Sequence, residues 1–521
     1  MVKYLDNNSG FNQWRANQEA AKKKSPFGFL WWVALFFATW WLVGAFTSPG
    51  KNKVQEEAVA VVEDLSSVPT TVVSSDNISA SIQGLRISDI ALSNYALKPD
   101  SSEPVSLLSS DGEFIEVGVV SVGGADVPVA TTVWRQEGDV YKWRGKSGID
   151  FTRNITVDGY VVTVTDEIKN NSSSVVSVAP FVRIVRELRP VSSAGVATGS
   201  IAYVNSDIER EAWTRLDKKS YAYSTTNGFI GFADQYWETI ASIDVPDQTM
   251  RVKKDGKKYI SDVVSGAVSI APGASDVIKT KLYVGPRDQG LLDDASAVIE
   301  GIDETVDYGW FWFLARPMLW VLNALNSIVM NYGIAIILFT LFLRLLLWPL
   351  TRKSYVSMIA MQKMQPEMQR IQKLYANDKA RLQMEMLRLY QTHKTSPMSG
   401  CLPMLIQIPV FFALYKALLV SVPMRNAHFL WISDLAAMDP YFILPILMGV
   451  TMWWQQQLQS ASKKLSSDKN DPVAQTQRMM KWMPVLFTIM FAWMPAGLVL
   501  YWTVSNVFGI AQMYIIKKKS K

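Results

Sequence analysis

The apolar positions of this chain follow two patterns, and the first lies in its middle third. Over residues 82–300 short apolar runs alternate with polar positions, as in Tyr160–Ile168 and Val175–Val185. Alternation with β-branched enrichment predicts half-buried strands. Asp255-Gly256 lies between two such runs and predicts a tight hairpin. We therefore predict a β-sandwich over residues 82–300, although the pattern implies no strand order.

Long apolar runs on both sides of this region form the second pattern. A helix that crosses a bilayer needs about 20 apolar residues, and some of the runs are shorter than this. The predicted spans are residues 27–47, 332–350, 402–421, 440–456, 479–494 and 496–516. The predicted fold class is an α+β membrane protein with six transmembrane helices and one large β-domain.

The first apolar run has two possible interpretations. A basic cluster at Lys22–Lys24 followed by an apolar core is also typical of a cleaved signal peptide. The long preceding segment 1–26, four tryptophans in the run and the lack of an A-x-A site favour an uncleaved anchor. Residues 48–81 contain no aromatic side chain and are predicted to form a linker.

Two further segments are predicted to be amphipathic. Residues 303–325, with aromatic residues around Arg316-Pro317, are interpreted as a helix lying in the membrane interface; the alternative is the start of the next span. Residues 352–398 are predicted to form a cytoplasmic helical hairpin whose flexible methionines contact varied apolar partners. The alternative is an ordinary hairpin core with a solvated basic face. These methionines are Met358, Met361, Met364, Met368, Met384 and Met386.

Charge is segregated along the chain and predicts its orientation. Residues 48–308 carry 25 Lys+Arg against 37 Asp+Glu, whereas the remainder carries 27 against 9. The loops 351–400 and 457–481 and the tail 517–521 are basic, and basic loops stay in the cytoplasm. Six crossings then place both termini in the cytoplasm and the acidic β-domain on the opposite side of the membrane, a position that its lack of disulfides does not contradict in a bacterial periplasm.

The residue types needed for common catalytic chemistry are scarce. The single cysteine, Cys401, excludes an internal disulfide and a four-thiolate metal site. His393 and His428 are the only histidines, and the chain has no HExxH or GxSxG motif. Gly145-Lys146-Ser147 lacks the earlier glycine of a phosphate-binding loop. We predict no cofactor, no metal and no enzymatic activity.

Arg344 is the most informative single residue, because a guanidinium cannot lose its proton to enter a bilayer. At the bilayer centre it costs about 2.5–3.5 kcal/mol, and such residues usually face a bundle interior or a polar cavity. The alternative is that Arg344 extends to the nearer headgroups. Lys416 is a second intramembrane cation, but it lies nearer the outer end of its span and can reach the headgroups there. Other polar residues in the spans are Asn331, Thr340, Gln407, Ser505, Asn506 and Gln512.

Four motifs occur in an order typical of one family: Arg344–Thr351, Gly400–Pro409, Asp439–Met452 and Pro495–Asn506. Through them the chain resembles the YidC membrane protein insertases of Gram-negative bacteria, relatives of mitochondrial Oxa and chloroplast Alb proteins. The resemblance implies a periplasmic β-supersandwich and a five-helix core, with the first helix as an added anchor. It also implies a hydrophilic groove that is open to cytoplasm and lipid.

The resemblance implies substrate-groove residues at Arg344, Thr340, Gln407, Tyr501 and Trp502. Trp502 departs from the tyrosine expected there. Two more polar residues of the last span complete the predicted groove; they are Ser505 and Asn506.

The implied activity is insertion and folding of inner-membrane proteins, alone or with the Sec translocon and SecDF. The expected partners are nascent membrane proteins, the lipid bilayer and, through the basic cytoplasmic segments, the ribosome, without nucleic-acid specificity. The main alternative is a polytopic anion transporter or channel, which would need a continuous polar path. A membrane-anchored sensor would need only one span.

Overall fold

The computed structural model describes residues 65–99, 101–109, 112–187, 196–375, 378–393, 402–459 and 472–519. Several predicted segments lie outside these residues. They are the N-terminal segment 1–26, the anchor 27–47, linker residues 48–64, Cys401 and the last two residues of the tail.

Nineteen strands form in the described part of the β-domain. In chain order they are β1 (Thr70–Ser74), β2 (Ile78–Gln83), β3 (Arg86–Ala96), β4 (Pro104–Leu107), β5 (Phe114–Val122), β6 (Arg135–Glu137), β7 (Val140–Arg144), β8 (Ile149–Asp158), β9 (Val161–Asn170), β10 (Val176–Arg186), β11 (Gly199–Val204), β12 (Asp207–Ala212), β13 (Tyr221–Thr225), β14 (Gly228–Ala233), β15 (Trp237–Ile243), β16 (Gln248–Asp255), β17 (Lys258–Val264), β18 (Val268–Ile270) and β19 (Ser275–Pro286).

Within the described residues, two short helices accompany the strands, and eight more lie in the C-terminal region that contains the later predicted spans. They are α1 (Trp213–Leu216), α2 (Gln289–Ala295), α3 (Trp312–Val329), α4 (Tyr332–Leu346), α5 (Trp348–Leu374), α6 (Lys379–Thr392), α7 (Leu402–Val420), α8 (Ile443–Gln459), α9 (Pro472–Phe491) and α10 (Ala496–Lys519).

The strands form two antiparallel sheets that together make a β-sandwich. One sheet has the order β1-β2-β3-β5-β10-β17-β16-β13, with β4 on β3 and β18 on β10; the other has the order β12-β11-β14-β15-β19-β9-β8-β7-β6. Arg153 of β8 is buried between them and pairs with Asp166 at 2.7 Å. The same guanidinium donates to the Val117 carbonyl of the facing sheet at 2.9 Å, so the buried charge is matched and the sheets are connected.

The predicted hairpin at Asp255-Gly256 is confirmed. Asp255 pairs with Lys258 across the turn between β16 and β17. Gly256 has a φ of 57°, a left-handed conformation that glycine adopts at no steric cost.

The prediction that the linker extends to residue 81 is wrong. Strands β1 and β2 lie within residues 70–83 and pair antiparallel from Thr70 against Gln83. Ile78, Ala80 and Ile82 are buried and alternate with half-buried residues. The composition is poor in large side chains, but the period of two residues is that of a strand.

The predicted interfacial helix begins later than expected. Helix α3 starts at Trp312, nine residues after the predicted start at residue 303. Gly309 has a φ of 70°, which interrupts the right-handed helical conformation just before α3.

The predicted span 332–350 is not one straight helix. It divides between α4 and α5, which are bent by 66° at Leu347. By length and composition, one helix of the described residues, Ala496–Lys518, can cross a membrane, or two if the bent pair counts as one span. Shorter apolar helices occur at Leu405–Val420 and Lys481–Phe491. The six crossings therefore stay a prediction.

The β-domain contacts the helical region directly, close to the end of α7. Gln235 is buried and donates to the Leu419 carbonyl at 3.0 Å. Arg425, in the loop after α7, donates to the Ala96 carbonyl at 2.8 Å. Lys416 forms an ion pair of 2.9 Å with Asp307, in the segment before α3. Lys416 can reach the headgroups by its position in the sequence, but in the structure its charge has a carboxylate partner.

Candidate functional site: a polar column on the last helix

One face of α10 carries three buried polar side chains. They are Tyr501, Ser505 and Gln512. Their spacings of four and seven residues place them on a single helical face. Because buried polar groups need hydrogen-bond partners, this face predicts polar groups on the helices opposite.

Each of these three residues has such a partner. Gln407 of α7 donates to the Tyr501 hydroxyl. Arg344 of α4 donates through Nε to Ser505 Oγ at 2.7 Å, and its Nη2 donates to the same oxygen. Gln512 donates to Thr351 Oγ1 at 2.8 Å. We call the six residues of these three pairs the polar column.

Arg344 lies in the last turn of α4 and is half-buried. A cation at this position is favoured by the negative end of the helix dipole. Its guanidinium contacts α10, which favours the bundle-facing interpretation over extension to the headgroups. Among the described residues no carboxylate forms an ion pair with it, so its charge is matched by neutral dipoles only.

Two predicted groove residues lie apart from the column. Thr340 is fully buried, and its hydroxyl donates to the Ile336 carbonyl of its own helix at 2.6 Å. Asn506 is buried and donates to Thr451 Oγ1 of α8 at 3.3 Å. Both side chains therefore act within or between helices in this structure.

Trp502 belongs to an aromatic cluster rather than to the column. Its ring centroid lies 5.2 Å from that of Phe491 and 5.6 Å from that of Phe411. Residue 502 is one position from Tyr501, about 100° around the helix, and therefore faces different neighbours. Packing of α7, α9 and α10 accounts for a large aromatic side chain here.

The six hairpin methionines do not share one environment. Met364 is buried, and Met358 packs against Tyr355 and Met513, so these two have the core role of the alternative interpretation. Met384 is 63% exposed. Met361, Met368 and Met386 are half-buried. A contact surface on the hairpin would thus centre on Met384.

Sequence reasoning missed Thr351 as a member of the column. The predicted span ended at residue 350, which left Thr351 outside the membrane region. A signal was available, since Arg344 and Thr351 are seven residues apart, as are Ser505 and Gln512. Equal heptad spacing on two segments is typical of helices that pack side by side.

Two family descriptions match nearly all of the described chain. "YidC periplasmic domain" matches residues 69–321, and "60Kd inner membrane protein" matches residues 324–521. Solved structures are alike only at a low level: the Slr1438 protein from Synechocystis has a TM-score of 0.30 and 10% identity, covering 44% of this chain and 99% of that chain.

Curated relatives are similar over most of their length. The membrane protein insertase YidC of Magnetococcus marinus is 38% identical over 445 residues, 81% of this chain and 78% of that protein. The protein of the same name from Rickettsia bellii is 34% identical over 523 residues, 90% of this chain and 91% of that protein. With both family descriptions and these relatives in agreement, the chain belongs to the YidC family of membrane protein insertases.

Proposed function

We propose that Arg344 and three other members of the polar column, Ser505, Tyr501 and Gln407, receive the polar tail of a membrane protein while its apolar segment enters lipid. Insertion of membrane proteins into the inner membrane is the activity of the family. The proposal concerns the residues that carry it out in this chain. Arg344 attracts acidic groups of the tail, and Ser505, Tyr501 and Gln407 offer hydrogen bonds in place of water.

The state of Arg344 is the observation that carries the proposal. Its charge is half-buried, held by Ser505 and without a carboxylate partner among the described residues. A cation in such a place remains able to bind an incoming anion. At about 4 Å two unit charges attract by roughly 1 kcal/mol in water and 4 kcal/mol near a protein surface.

The same proposal includes an orientation and a source of free energy. The chain crosses the membrane six times, with both termini and the α5–α6 hairpin in the cytoplasm. Burial of about 20 apolar residues in lipid supplies the driving force without a nucleotide. The Sec translocon and SecDF are proposed partners, and the basic hairpin is the proposed ribosome contact.

Matched substrates in proteoliposomes test the proposal. Two single-span substrates differ only in whether the translocated tail carries Asp and Glu or Asn and Gln. Because Arg344 is half-exposed, we expect Arg344→Ala to slow acidic-tail insertion by about 5- to 30-fold, equivalent to roughly 1–2 kcal/mol. Neutral tails should be spared, and Arg344→Lys should retain most activity because it keeps the charge.

Lys416→Met is the matched control, since it removes an equal charge from a neighbouring helix outside the column. Lys416→Met should change the insertion rates of the acidic-tail and neutral-tail substrates equally. Equal slowing of both substrates by Arg344→Ala, or of neither, would refute electrostatic capture. Solute flux through the liposomes without insertion would instead support the channel alternative.

A further inference from the structure

The break between α4 and α5 has a local cause and a specific support. Pro349 occupies the first turn of α5 and has no backbone N–H with which to continue α4. Proline also disfavours the helical conformation of the residue before it. The chain bends by 66° here, between Leu346 and Trp348.

Thr351 lies at the start of α5, just after the break, and its backbone N–H donates to the Leu347 carbonyl at 3.0 Å. Its buried Oγ1 is 3.0 Å from the Leu347 carbonyl and 3.1 Å from that of Trp348. Gln512 donates to the same Oγ1 at 2.8 Å. A hydroxyl has one hydrogen to donate and can accept others. Thr351 therefore accepts from α10 while it donates to the break.

The Arg344–Ser505 and Thr351–Gln512 pairs stand in one register. Each joins residues 161 positions apart, so α4–α5 and α10 run parallel across the bend. Gly509 lies between the two pairs on α10, where a Cβ would meet Gln455 Nε2 of α8 at 2.8 Å and the Tyr355 hydroxyl of α5 at 3.3 Å. This glycine therefore leaves room for both α8 and α5 beside α10.

Gln512 satisfies only half of its own hydrogen-bonding groups. The side chain is 1% exposed, and its Oε1 has no hydrogen-bond partner within the described part of the chain. A buried unpaired acceptor destabilises a fold, whereas an apolar side chain of similar shape does not. Stability alone therefore does not explain a glutamine at this position.

We propose that Gln512 and Thr351 are positioning residues that set the bend between α4 and α5. They thereby hold Arg344, three residues before the break, against Ser505. The inference rests on the proposed role of Arg344, and it assigns two residues that act through that arginine without contacting substrate.

Three variants test this inference. Gln512→Met removes the amide but keeps its length, Thr351→Val removes the hydroxyl but keeps its shape, and Thr351→Ser is the conservative control. Spin labels at the exposed positions Phe342 of α4 and Val356 of α5 report the bend. The labels are introduced as cysteines in a Cys401→Ser background.

We expect Gln512→Met to leave the midpoint of unfolding unchanged or raised, because it removes an unpaired acceptor. The acidic-to-neutral insertion ratio should nevertheless fall about fivefold, the rate equivalent of one neutral hydrogen bond. The distribution of distances between the two spin labels should broaden in Gln512→Met and Thr351→Val and stay narrow in Thr351→Ser.

An unchanged label distance and insertion ratio in a stably folded Gln512→Met protein would overturn the inference. Equal loss of insertion and stability in all three variants would do the same, since that pattern indicates a purely structural role. If the distance distribution broadens but Arg344→Ala slows acidic-tail and neutral-tail insertion equally, Gln512 and Thr351 still set the bend, and the proposed function of Arg344 fails. If Arg344→Ala selectively slows acidic-tail insertion but no label distance changes, the positioning role of Gln512 and Thr351 fails and the proposed function of Arg344 stands.

Discussion

The ion pair between Asp307 and Lys416 should couple the β-domain to the helical core. Its oxygen–nitrogen distance is 2.9 Å, and the side chains are 35% and 19% exposed. Exposed pairs contribute about 0.2–1 kcal/mol, whereas breaking a buried pair costs about 3–5 kcal/mol. Discounting for solvent screening at Asp307, we expect a coupling free energy of about 1–2 kcal/mol.

A double-mutant cycle with Lys416→Met and Asp307→Asn measures this coupling as the non-additive part of the free energy of unfolding. Unfolding is followed in mixed micelles by SDS titration. Lys281 and Asp244 form a matched control pair within the β-domain, at 2.8 Å with 21% and 40% exposure. The control cycle should show a similar coupling without any change in how the β-domain contacts α7.

The pH dependence of the free energy of unfolding provides a second test of the Asp307–Lys416 ion pair. Burial by itself would raise the pKa of Asp307, but the charge and hydrogen bond of Lys416, the Gly309 amide and Arg210 bring this pKa below its usual value. The stabilisation is therefore present above the unfolded-state pKa and is lost as pH falls below about 4.

In Lys416→Met the burial remains and the main compensating charge is gone, so the pKa of Asp307 should rise. The sign then reverses: this variant should lose stability as pH increases from about 4 to 7. A coupling below about 0.3 kcal/mol, within the error of additivity, would refute the reasoning. So would an identical pH profile in the wild type and the variant.

Two further predictions concern topology and domain roles. Cysteines placed near Lys23, Lys373 and Lys518 should be labelled from the cytoplasm, and one at Asp255 only from the periplasm, because basic loops remain cytoplasmic; labelling of position 255 from the cytoplasm would reverse the orientation. Deleting residues 94–282 should leave insertion in a complementation test, since no member of the polar column lies there, while thermal stability falls because the Leu419 carbonyl loses Gln235. Deleting residues 353–393 should abolish insertion because it removes the hairpin and Tyr355, and the reverse order of effects would contradict both expectations.

Local patterns in the sequence were sufficient for several features of this protein. Strand alternation and Asp255-Gly256 predicted the β-domain and one of its hairpins. Arg344 was recognisable because a permanent charge in an apolar run is costly. Gln407 and Ser505 were recognisable as polar positions in apolar runs, whereas Tyr501 was implied by the family resemblance; the structure brings all three into the polar column. Apart from Tyr501, these features depend on residue type and short-range periodicity, which the chain carries directly.

Other features depended on which surfaces meet, and short-range patterns do not contain that information. The strand order of the two sheets is one example. Lys416 pairs with Asp307, which lies 109 residues earlier in the sequence. Trp502 and Asn506 face away from Arg344 because neighbouring positions on a helix point in different directions. Pro349 was visible in the sequence, but the hydrogen bond between Gln512 and Thr351, just after the bend, joins residues 161 positions apart, and only tertiary packing brings the two segments together.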